Sequence, residues 1–223
     1  MTARRIAVLA SGGGSNLGAL FDHLDALGAT APAQVALVAS DKPSAGALAR
    51  ATARHVPTAV IGAPGDAEAL LALLRVHDAD LVVLAGYLKL VPAAVTEAFA
   101  GRIVNVHPAL LPRHGGHGMY GARVHRAVLA AGDTESGATV HLVDAAYDRG
   151  AAIVQAHVAV EPGDTNDALA ARVLRGEHFI LPRAVAALAA GEITAAGGRA
   201  TVGAAARARF DAPPTGIRVT FPG

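Results

Sequence analysis

An asparagine and a histidine stand close together at a point where the chain could perform acyl-transfer chemistry. Asn105 and His107 close an apolar run typical of a buried strand, and Pro108 follows directly. Residues two apart on a strand point to the same face, so we expect both side chains to project together. An amide and an imidazole that converge can donate hydrogen bonds to an oxygen that becomes negative during acyl transfer. Without further context, the pair is equally compatible with a structural histidine packed beside an amide.

A second candidate site is the segment 11–16, Ser-Gly-Gly-Gly-Ser-Asn, which lies between the first predicted strand and the first predicted helix. Glycine lets the backbone approach a ligand closely, and a helix N-terminus offers free N–H groups with a partial positive charge. The spacing matches neither the dinucleotide-binding pattern nor the ATP-binding P-loop. We therefore expect a phosphomonoester, bound by Gly13, Gly14, Ser15 and Asn16. The alternative is a tight turn that only caps the helix.

The elements that must position these residues alternate through the first half of the chain. Apolar runs predict strands at 6–10, 35–39, 58–61, 81–84 and 103–106, and helices are predicted at 16–27, 45–54 and 66–76, the last with Asp66 as its N-cap. This β-α-β-α order favours an α/β fold with a doubly wound, mostly parallel sheet. Ligands of such sheets bind beyond the carboxyl ends of the strands, where both candidate sites lie.

The second half has a different pattern. A loop rich in Gly, His and Pro is predicted at 108–121, followed by a helix at 124–131. Paired strands at 139–143 and 152–160 should extend the sheet, and a helix is predicted over 166–189. From residue 197 onward the chain is rich in Gly, Ala and Pro, with a short strand predicted at 217–221.

Composition narrows the class of protein. The chain has 223 residues with 52% hydrophobic content, which suits one folded domain. The net charge of +1 provides no general attraction for nucleic acid or an anionic membrane. The sequence contains no cysteine, so disulfides and thiolate chemistry are excluded. The N-terminal apolar run is too short for a signal peptide or a membrane span, and we expect a cytoplasmic protein.

Four segments, 11–16, 84–87, 105–112 and 137–148, together resemble the phosphoribosylglycinamide formyltransferase family, the folate-dependent glycinamide ribonucleotide transformylases. The resemblance extends over about residues 6–188. It implies one formyltransferase domain at 1–195 with a Rossmann-like N-terminal half. Phosphate would bind in the half at about 1–100, and catalysis and folate binding would lie in the half at about 101–195. We assign no role to the extension at 196–223.

The resemblance implies transfer of the formyl group of 10-formyltetrahydrofolate to the amine of 5'-phosphoribosylglycinamide, a step of purine biosynthesis that needs no metal. The family's catalytic trio maps onto Asn105, His107 and Asp148. Asp148 is chosen over Asp144 because the family aspartate lies seven residues after a histidine, here His141, although the usual Gly-Gly pair after it is Arg-Gly here. An aspartate beside His107 should raise its pKa and favour the imidazolium.

Further site residues follow from the same resemblance. Glu177 matches a glutamate that contacts the ribose hydroxyls, although a lone helix glutamate is more often a solvated charge. The folate pocket would be lined by Leu88, Lys89, Leu90, Val91, Val143 and Asp144, with Lys89 at a position where arginine is common. The histidines at 114, 117, 125 and 141 are irregularly spaced, and we expect solvated or loop-packing side chains there instead of metal ligands.

Three alternatives remain open. A formyltransferase acting on initiator tRNA would usually need a second, basic domain. A formyltetrahydrofolate hydrolase would share the catalytic core but normally carries an extra N-terminal domain. A sugar-phosphate or nucleotide sensor would use only the glycine-rich segment. The expected partners are small molecules, with no nucleic acid and no membrane, and apolar stretches could cover a homodimer interface.

Overall fold

The structure is a computed structural model that describes residues 3–196 and 199–222. Within these residues the strands are β1 (Arg4–Leu9), β2 (Ala33–Ser40), β3 (Thr58–Val60), β4 (Leu81–Leu84), β5 (Ile103–His107), β6 (Glu135–Leu142), β7 (Ala152–Ala159), β8 (Ile193–Ala196), β9 (Arg199–Val202) and β10 (Arg218–Thr220). The helices are α1 (Ser15–Leu27), α2 (Gly46–Thr52), α3 (Ala67–Val76), α4 (Ala93–Ala98), α5 (Ala122–Ala130), α6 (Asn166–Ala189) and α7 (Ala204–Ala208).

The main sheet of the described chain has eight strands in the order β10-β7-β6-β5-β4-β1-β2-β3. Strands β1 to β5 run parallel, and β6, β7 and β10 are each antiparallel to the strand beside them. The predicted α/β fold with a mostly parallel, doubly wound sheet is therefore confirmed. The chain order reverses at β1, which lies between β2 and β4, and such a reversal opens a crevice at the carboxyl edge of the sheet.

Helices cover both faces of the sheet because its central strands are apolar on both sides. Along β1, Ile6 and Val8 pack into the core formed with α1, α2 and α6, whereas Ala7 and Leu9 pack against α3 and α4. All four side chains are fully buried. This alternation explains why β1 appears in the sequence as an uninterrupted apolar run.

Side-chain caps fix the starts of two helices. The Asp66 carboxylate accepts a hydrogen bond from the Ala69 N–H at 3.0 Å, which confirms the predicted N-cap of α3. The Thr165 hydroxyl accepts one from the Ala168 N–H at 3.1 Å and caps α6. Helix α6 has 24 residues, and it packs across α1, β6 and β7, so its buried face reaches the sheet beside the crevice.

The described structure differs from the prediction in a few elements. Helix α4 was not expected, and β6 begins four residues before the predicted strand start at 139. Gly137 interrupts the apolar pattern of β6, and a Cβ there would lie 1.9 Å from the Ala156 carbonyl oxygen, so this position must be glycine. The structure adds a β8–β9 hairpin and α7 and confirms the final strand as β10.

The prediction for the segment from 197 onward falls partly on Gly197 and Gly198, which lie outside the described residues. The division of the chain at residue 195 stays a prediction, but β10, from beyond that boundary, pairs with β7 of the main sheet. None of the described helices combines the length and apolar character that a bilayer crossing requires.

Candidate active site

A cavity of about 610 Å³ lies at the carboxyl edge of β4 and β5. Asn105, His107 and Asp148 all line it, and so do Glu177 from α6 and Asn16 from α1. These five side chains come from four separate parts of the chain, and the sheet edge brings them together. A volume of this size suits a small-molecule ligand.

The Asp148 carboxylate contacts both the Asn105 and the His107 side chains. His107 Nδ1 lies 3.4 Å from Asp148 Oδ2, and Asn105 Nδ2 lies 3.4 Å from Asp148 Oδ1. The His107 side chain is 4% exposed and that of Asp148 is 10% exposed, so the contacts are largely shielded from water. The three groups therefore form one cluster, although Asn105 and Asp148 are more than 40 residues apart in the chain.

Local backbone geometry aims Asp148 into this cluster. Asp148 has a positive φ of 55°, an unusual conformation that aspartate tolerates better than most residues. Its Oδ2 also accepts a hydrogen bond from the Gly116 N–H at 2.9 Å. A Cβ on Gly150 would lie 1.8 Å from the Leu142 carbonyl oxygen. Position 150 must therefore be glycine, whereas position 149, which is arginine in this chain, has no such requirement.

His141, which was expected to be a solvated or loop-packing histidine, is a buried residue of the site. It lies opposite Asn105 in the β5–β6 register, and its Nε2 is 3.0 Å from Asn105 Nδ2. The Nδ1–H donates to the Leu142 carbonyl at 2.8 Å, so in the neutral ring Nε2 accepts a hydrogen bond from the Asn105 amide. His141 thereby orients the amide, and the signal in the sequence was a histidine inside the apolar run of a predicted strand.

The prediction that the pKa of His107 is raised is wrong, because the net shift is downward. Burial lowers the pKa of His107 below its ordinary value, and the neighbouring Asp148 carboxylate offsets only part of this effect. Burial alone would raise the pKa of Asp148, but contacts with His141, His107 and the Gly116 N–H lower it on balance. Asp148 is therefore ionised near neutral pH, and His107 holds a second proton only weakly.

Of the other histidines expected to be solvated or loop-packing, His117 and His125 line the cavity, whereas His114 contacts the site only through its carbonyl oxygen. His114 Nε2 is 2.7 Å from Asp133 Oδ2, and the His114 carbonyl accepts a hydrogen bond from His107 Nε2 at 2.8 Å. His125, on α5, is 5% exposed and lines the cavity. His117 alone of the four is exposed, edge-on to Tyr147 at 5.6 Å.

The glycine-rich segment 11–16 forms the turn from β1 into α1 beside this cavity. Gly14 caps α1 with a φ of 73°, and a Cβ on it would lie 2.8 Å from the Ala47 Cα. Within the described chain, no hydrogen-bond acceptor contacts the backbone N–H groups of residues 12–17. Gly13, Gly14 and Ser15 do not line the cavity itself, and of this segment only Asn16 does.

Asn16 does not direct its amide nitrogen toward the glycine turn, as a phosphate contact would require. Its Nδ2 donates to Glu177 Oε2 at 2.5 Å, and its Oδ1 has no partner among the described residues. Burial raises the pKa of Glu177 to about 7, and the Asn16 hydrogen bond lowers it by a smaller amount. Glu177 is thus a buried cavity carboxyl, not the solvated helix charge that most lone glutamates are.

The six residues expected to contact folate all line the cavity, namely Leu88, Lys89, Leu90, Val91, Val143 and Asp144. Leu88 and Leu90 are 39% and 44% exposed, which is unusual for leucine and leaves an apolar wall open to a ligand. The Leu88 N–H donates to the Ser11 hydroxyl at 3.0 Å and ties this wall to the glycine-rich segment.

Asp144 is exposed, and its Oδ1 accepts a hydrogen bond from the nearby Ala146 N–H at 2.9 Å. It lies at the edge of the cavity and belongs to its own turn, unlike Asp148 in the central cluster. Across residues 3–196 and 199–222, no group of three or more His, Asp or Glu side chains is arranged to hold a metal ion.

Comparison with known proteins gives consistent matches. Residues 4–185 match the family described as formyl transferase. Phosphoribosylglycinamide formyltransferase of Arabidopsis thaliana, a chloroplastic protein, is 39% identical over 192 residues, 83% of this chain and 65% of that protein. The trifunctional purine biosynthetic protein adenosine-3 of Drosophila melanogaster is 42% identical over 195 residues. The crystal structure of glycinamide ribonucleotide transformylase 1 from Symbiobacterium toebii has a TM-score of 0.83 and 37% identity, covering 90% of this chain and 94% of that one.

The chain spans 65% of the length of the Arabidopsis protein. The match to the Drosophila protein covers 84% of this chain but only 14% of that longer protein. The match to the Symbiobacterium structure, in contrast, covers nearly the whole of both chains. The family match at residues 4–185 spans strands β1 to β7 and the positions of all the candidate site residues named above.

Proposed function

Because the chain belongs to the formyl transferase family, we propose that it transfers the formyl group of 10-formyltetrahydrofolate to the amine of 5'-phosphoribosylglycinamide. The products are formylglycinamide ribonucleotide and tetrahydrofolate, a step of purine biosynthesis. The observation that supports this most is the contact of Asn105, His107 and Asp148 at the wall of one cavity. A sensor for sugar phosphates would need the glycine-rich segment but not this cluster.

The chemistry to be catalysed balances without a further reagent. The substrate amine forms a bond to the formyl carbon, and the bond from that carbon to N10 of the folate breaks. One proton leaves the amine and another reaches N10, so the net charge is unchanged. Between formation of the new bond and cleavage of the bond to N10, the carbonyl oxygen carries a negative charge. Catalysis therefore requires hydrogen-bond donors that stabilise this oxygen.

His107 and Asn105 are the proposed donors. The Nε2–H of His107 already donates to a carbonyl oxygen, that of His114, at 2.8 Å, and the formyl oxygen would replace this neutral acceptor. The Asn105 amide makes a long contact of 3.4 Å to Asp148, so its hydrogen can be redirected to the formyl oxygen at little cost. His141 keeps the amide nitrogen turned toward the cluster.

Asp148 is the proposed partner for the proton. Its Oδ2 faces His107 Nδ1 at 3.4 Å, so an imidazolium would donate to it through Nδ1. Because burial lowers the pKa of His107, this proton is weakly held, and the developing oxyanion would raise that pKa. The ionised Asp148 could also hold a water that carries the proton from the amine to N10.

The ribonucleotide is proposed to bind with its phosphate at the glycine-rich segment, through Gly13, Gly14, Ser15 and the backbone N–H of Asn16, whose side chain is engaged by Glu177. The backbone N–H groups of residues 12–17 donate no hydrogen bond to any described residue. They are therefore suited to bind an anion at the start of α1. Glu177, on α6, is linked to the segment by its hydrogen bond with Asn16 and would face the ribose hydroxyls. The unpartnered Oδ1 of Asn16 is a second acceptor for the same sugar.

The folate is proposed to lie against the apolar wall formed by Leu88, Leu90, Val91 and Val143. Leucines that are 39% and 44% exposed become buried when a flat heterocycle packs on them, and this burial favours binding. Lys89, at the same wall, can attract an anionic part of the ligand as a point charge without the bidentate geometry of arginine.

The test is a spectrophotometric assay with 10-formyl-5,8-dideazafolate and glycinamide ribonucleotide. The proposed function predicts that formylated ribonucleotide forms and that no deformylation occurs when the ribonucleotide is left out. Release of formate without ribonucleotide would instead identify a hydrolase. Binding of both ligands with no product would indicate a sensor.

The hydrolase is the second candidate because the fold alone does not separate the two activities. A formyltetrahydrofolate deformylase from Pseudomonas syringae shares the fold with a TM-score of 0.80 at 22% identity. We further propose that the protein acts in the cytoplasm on these small molecules. A homodimer stays a prediction, which light scattering of the purified chain can check.

A further inference from the structure

Arg50, on α2, contacts the glycine-rich segment but does not line the cavity. Its Nε donates a hydrogen bond to the Gly13 carbonyl oxygen at 2.8 Å. The N–H of Ala47, one helical turn earlier, donates to the Gly12 carbonyl at 3.1 Å. Two successive carbonyl groups of the segment are therefore held toward α2.

Close packing makes this arrangement specific. A Cβ on Gly14 would lie 2.8 Å from the Ala47 Cα, and one on Gly46 would lie 3.2 Å from the Gly13 oxygen. The Arg50 guanidinium extends along the first turn of α1, with Nη1 3.5 Å from the position of a Cβ on Gly18. Helix α2 and the segment thus touch through backbone atoms, and Arg50 closes the contact.

The carbonyl contacts determine what the segment presents on its other side. With the Gly12 and Gly13 carbonyls directed to α2, the N–H groups of residues 12–17 have no acceptor among the described residues. A carbonyl oxygen turned toward a bound phosphate would repel it, whereas N–H groups attract it. Among described residues, no carboxylate lies within ion-pair distance of Arg50, so its positive charge also acts on an anion at this end of α1.

We propose that Arg50 is a positioning residue for the substrate phosphate. It keeps the Gly13 carbonyl turned away from the anion and adds a positive charge beside it, without lining the cavity itself. This inference rests on the proposed binding of a phosphate ester at the segment, and it adds a residue that neither the phosphate-loop pattern nor the cavity includes.

The test compares Arg50→Gln with Arg126→Gln. Arg126 is a matched control because it is also an exposed helix arginine whose Nε donates to a backbone carbonyl, that of Ala122 at 3.3 Å. Arg50→Gln is expected to raise the KM for the ribonucleotide about 5- to 10-fold, as loss of one exposed charge-assisted hydrogen bond would. The kcat and the KM for the formyl folate should not change, and Arg126→Gln should match the wild type.

A substrate without the phosphate separates positioning from a general structural effect. With the dephosphorylated riboside, Arg50→Gln and wild type should have equal kcat/KM. Equal losses on both substrates, or a KM for the ribonucleotide equal to that of the control variant, would overturn the proposal. Arg50→Lys retains the charge but not the planar Nε–H, and it should lie between wild type and Arg50→Gln.

Binding of inorganic phosphate distinguishes failure of this inference from failure of the proposed function. Titration followed by calorimetry should show phosphate binding to the wild type and to Arg126→Gln, and binding about 5- to 10-fold weaker to Arg50→Gln. Should the wild type bind phosphate but not formylate the ribonucleotide, the proposed function fails while the role of Arg50 is still tested. Equal phosphate affinity in all three proteins would refute the role of Arg50.

Discussion

Replacing Glu177 by glutamine should change how the stability of the fold depends on pH. Glu177 is buried on α6, and its Oε2 accepts a hydrogen bond from Asn16 Nδ2 at 2.5 Å. Glutamine has nearly the same shape and can accept the same hydrogen bond through Oε1, so the substitution removes the ionisation and little else. The protein is expected to tolerate Glu177→Gln without a change of fold.

The magnitude follows from the pKa of this group. Burial raises the pKa of Glu177 from an ordinary 4.5 to about 7. Between pH 4.5 and pH 7, Glu177 is more fully protonated in the folded chain than in the unfolded chain. Its contribution to stability therefore falls as the pH rises through this range. At about 1.4 kcal/mol for each pKa unit, the loss between pH 4.5 and pH 8 is about 3 kcal/mol.

The assay is urea-induced unfolding at a series of pH values for the wild type and two variants. Glu177→Gln should equal the wild type in stability near pH 4.5 and exceed it by about 3 kcal/mol near pH 8. The control Glu97→Gln, at an exposed position on α4, should follow the wild type throughout. The comparison cancels the titration of every other group.

A constant difference between Glu177→Gln and the wild type across this range would refute the reasoning, since Glu177 would then ionise as it does in the unfolded chain. A variant that becomes relatively less stable with rising pH would show that the carboxylate charge stabilises the fold. The result also bears on ligand binding, because a protonated Glu177 can donate to a ribose hydroxyl and an ionised one can only accept.

Two further predictions concern the loop after β6 and the apolar wall. Gly150→Ala should destabilise the fold by about 3 kcal/mol or more, because its Cβ would lie 1.8 Å from the Leu142 carbonyl oxygen. Gly62→Ala, where nothing lies within 4 Å of the added Cβ, should stay within about 0.5 kcal/mol of the wild type in the same thermal melt. Leu88→Ser or Leu90→Ser should raise the KM for the formyl folate roughly 10-fold and leave the melting temperature unchanged, since both side chains are partly exposed. An unchanged KM in steady-state kinetics would place the folate elsewhere.

Much of the sheet was predictable because its central strands are apolar on both faces. The runs that became β1, β4 and β5 could be read directly, and the Asp66 cap could be predicted because it is a local interaction. The short α4 and the β8–β9 hairpin were not predicted, because six-residue and four-residue elements leave little periodicity in a sequence. Their formation depends on packing against the rest of the chain.

The candidate site was predictable where one strand carries it and less so where two elements meet. Asn105 and His107 lie two apart on β5, and their shared direction follows from strand geometry. The contacts of His141 with Asn105 and of Asn16 with Glu177 depend on the β5–β6 register and on the packing of α1 against α6. The pKa of His107 was misjudged because burial, which the sequence does not display, outweighs the visible carboxylate.

The contrast between Asp148→Asn and Asp144→Asn tests the central claim most directly. Both changes remove one carboxylate from the same loop, but only Asp148 contacts His107, Asn105 and the Gly116 N–H. In formyl transfer to glycinamide ribonucleotide, Asp148→Asn should lower kcat about 100-fold or more, as His107→Ala should, while the ribonucleotide still binds. Asp144→Asn should stay within about fivefold of the wild type, since its carboxylate is exposed and caps only its own turn. Near-normal turnover of Asp148→Asn together with a large loss in Asp144→Asn would contradict the account.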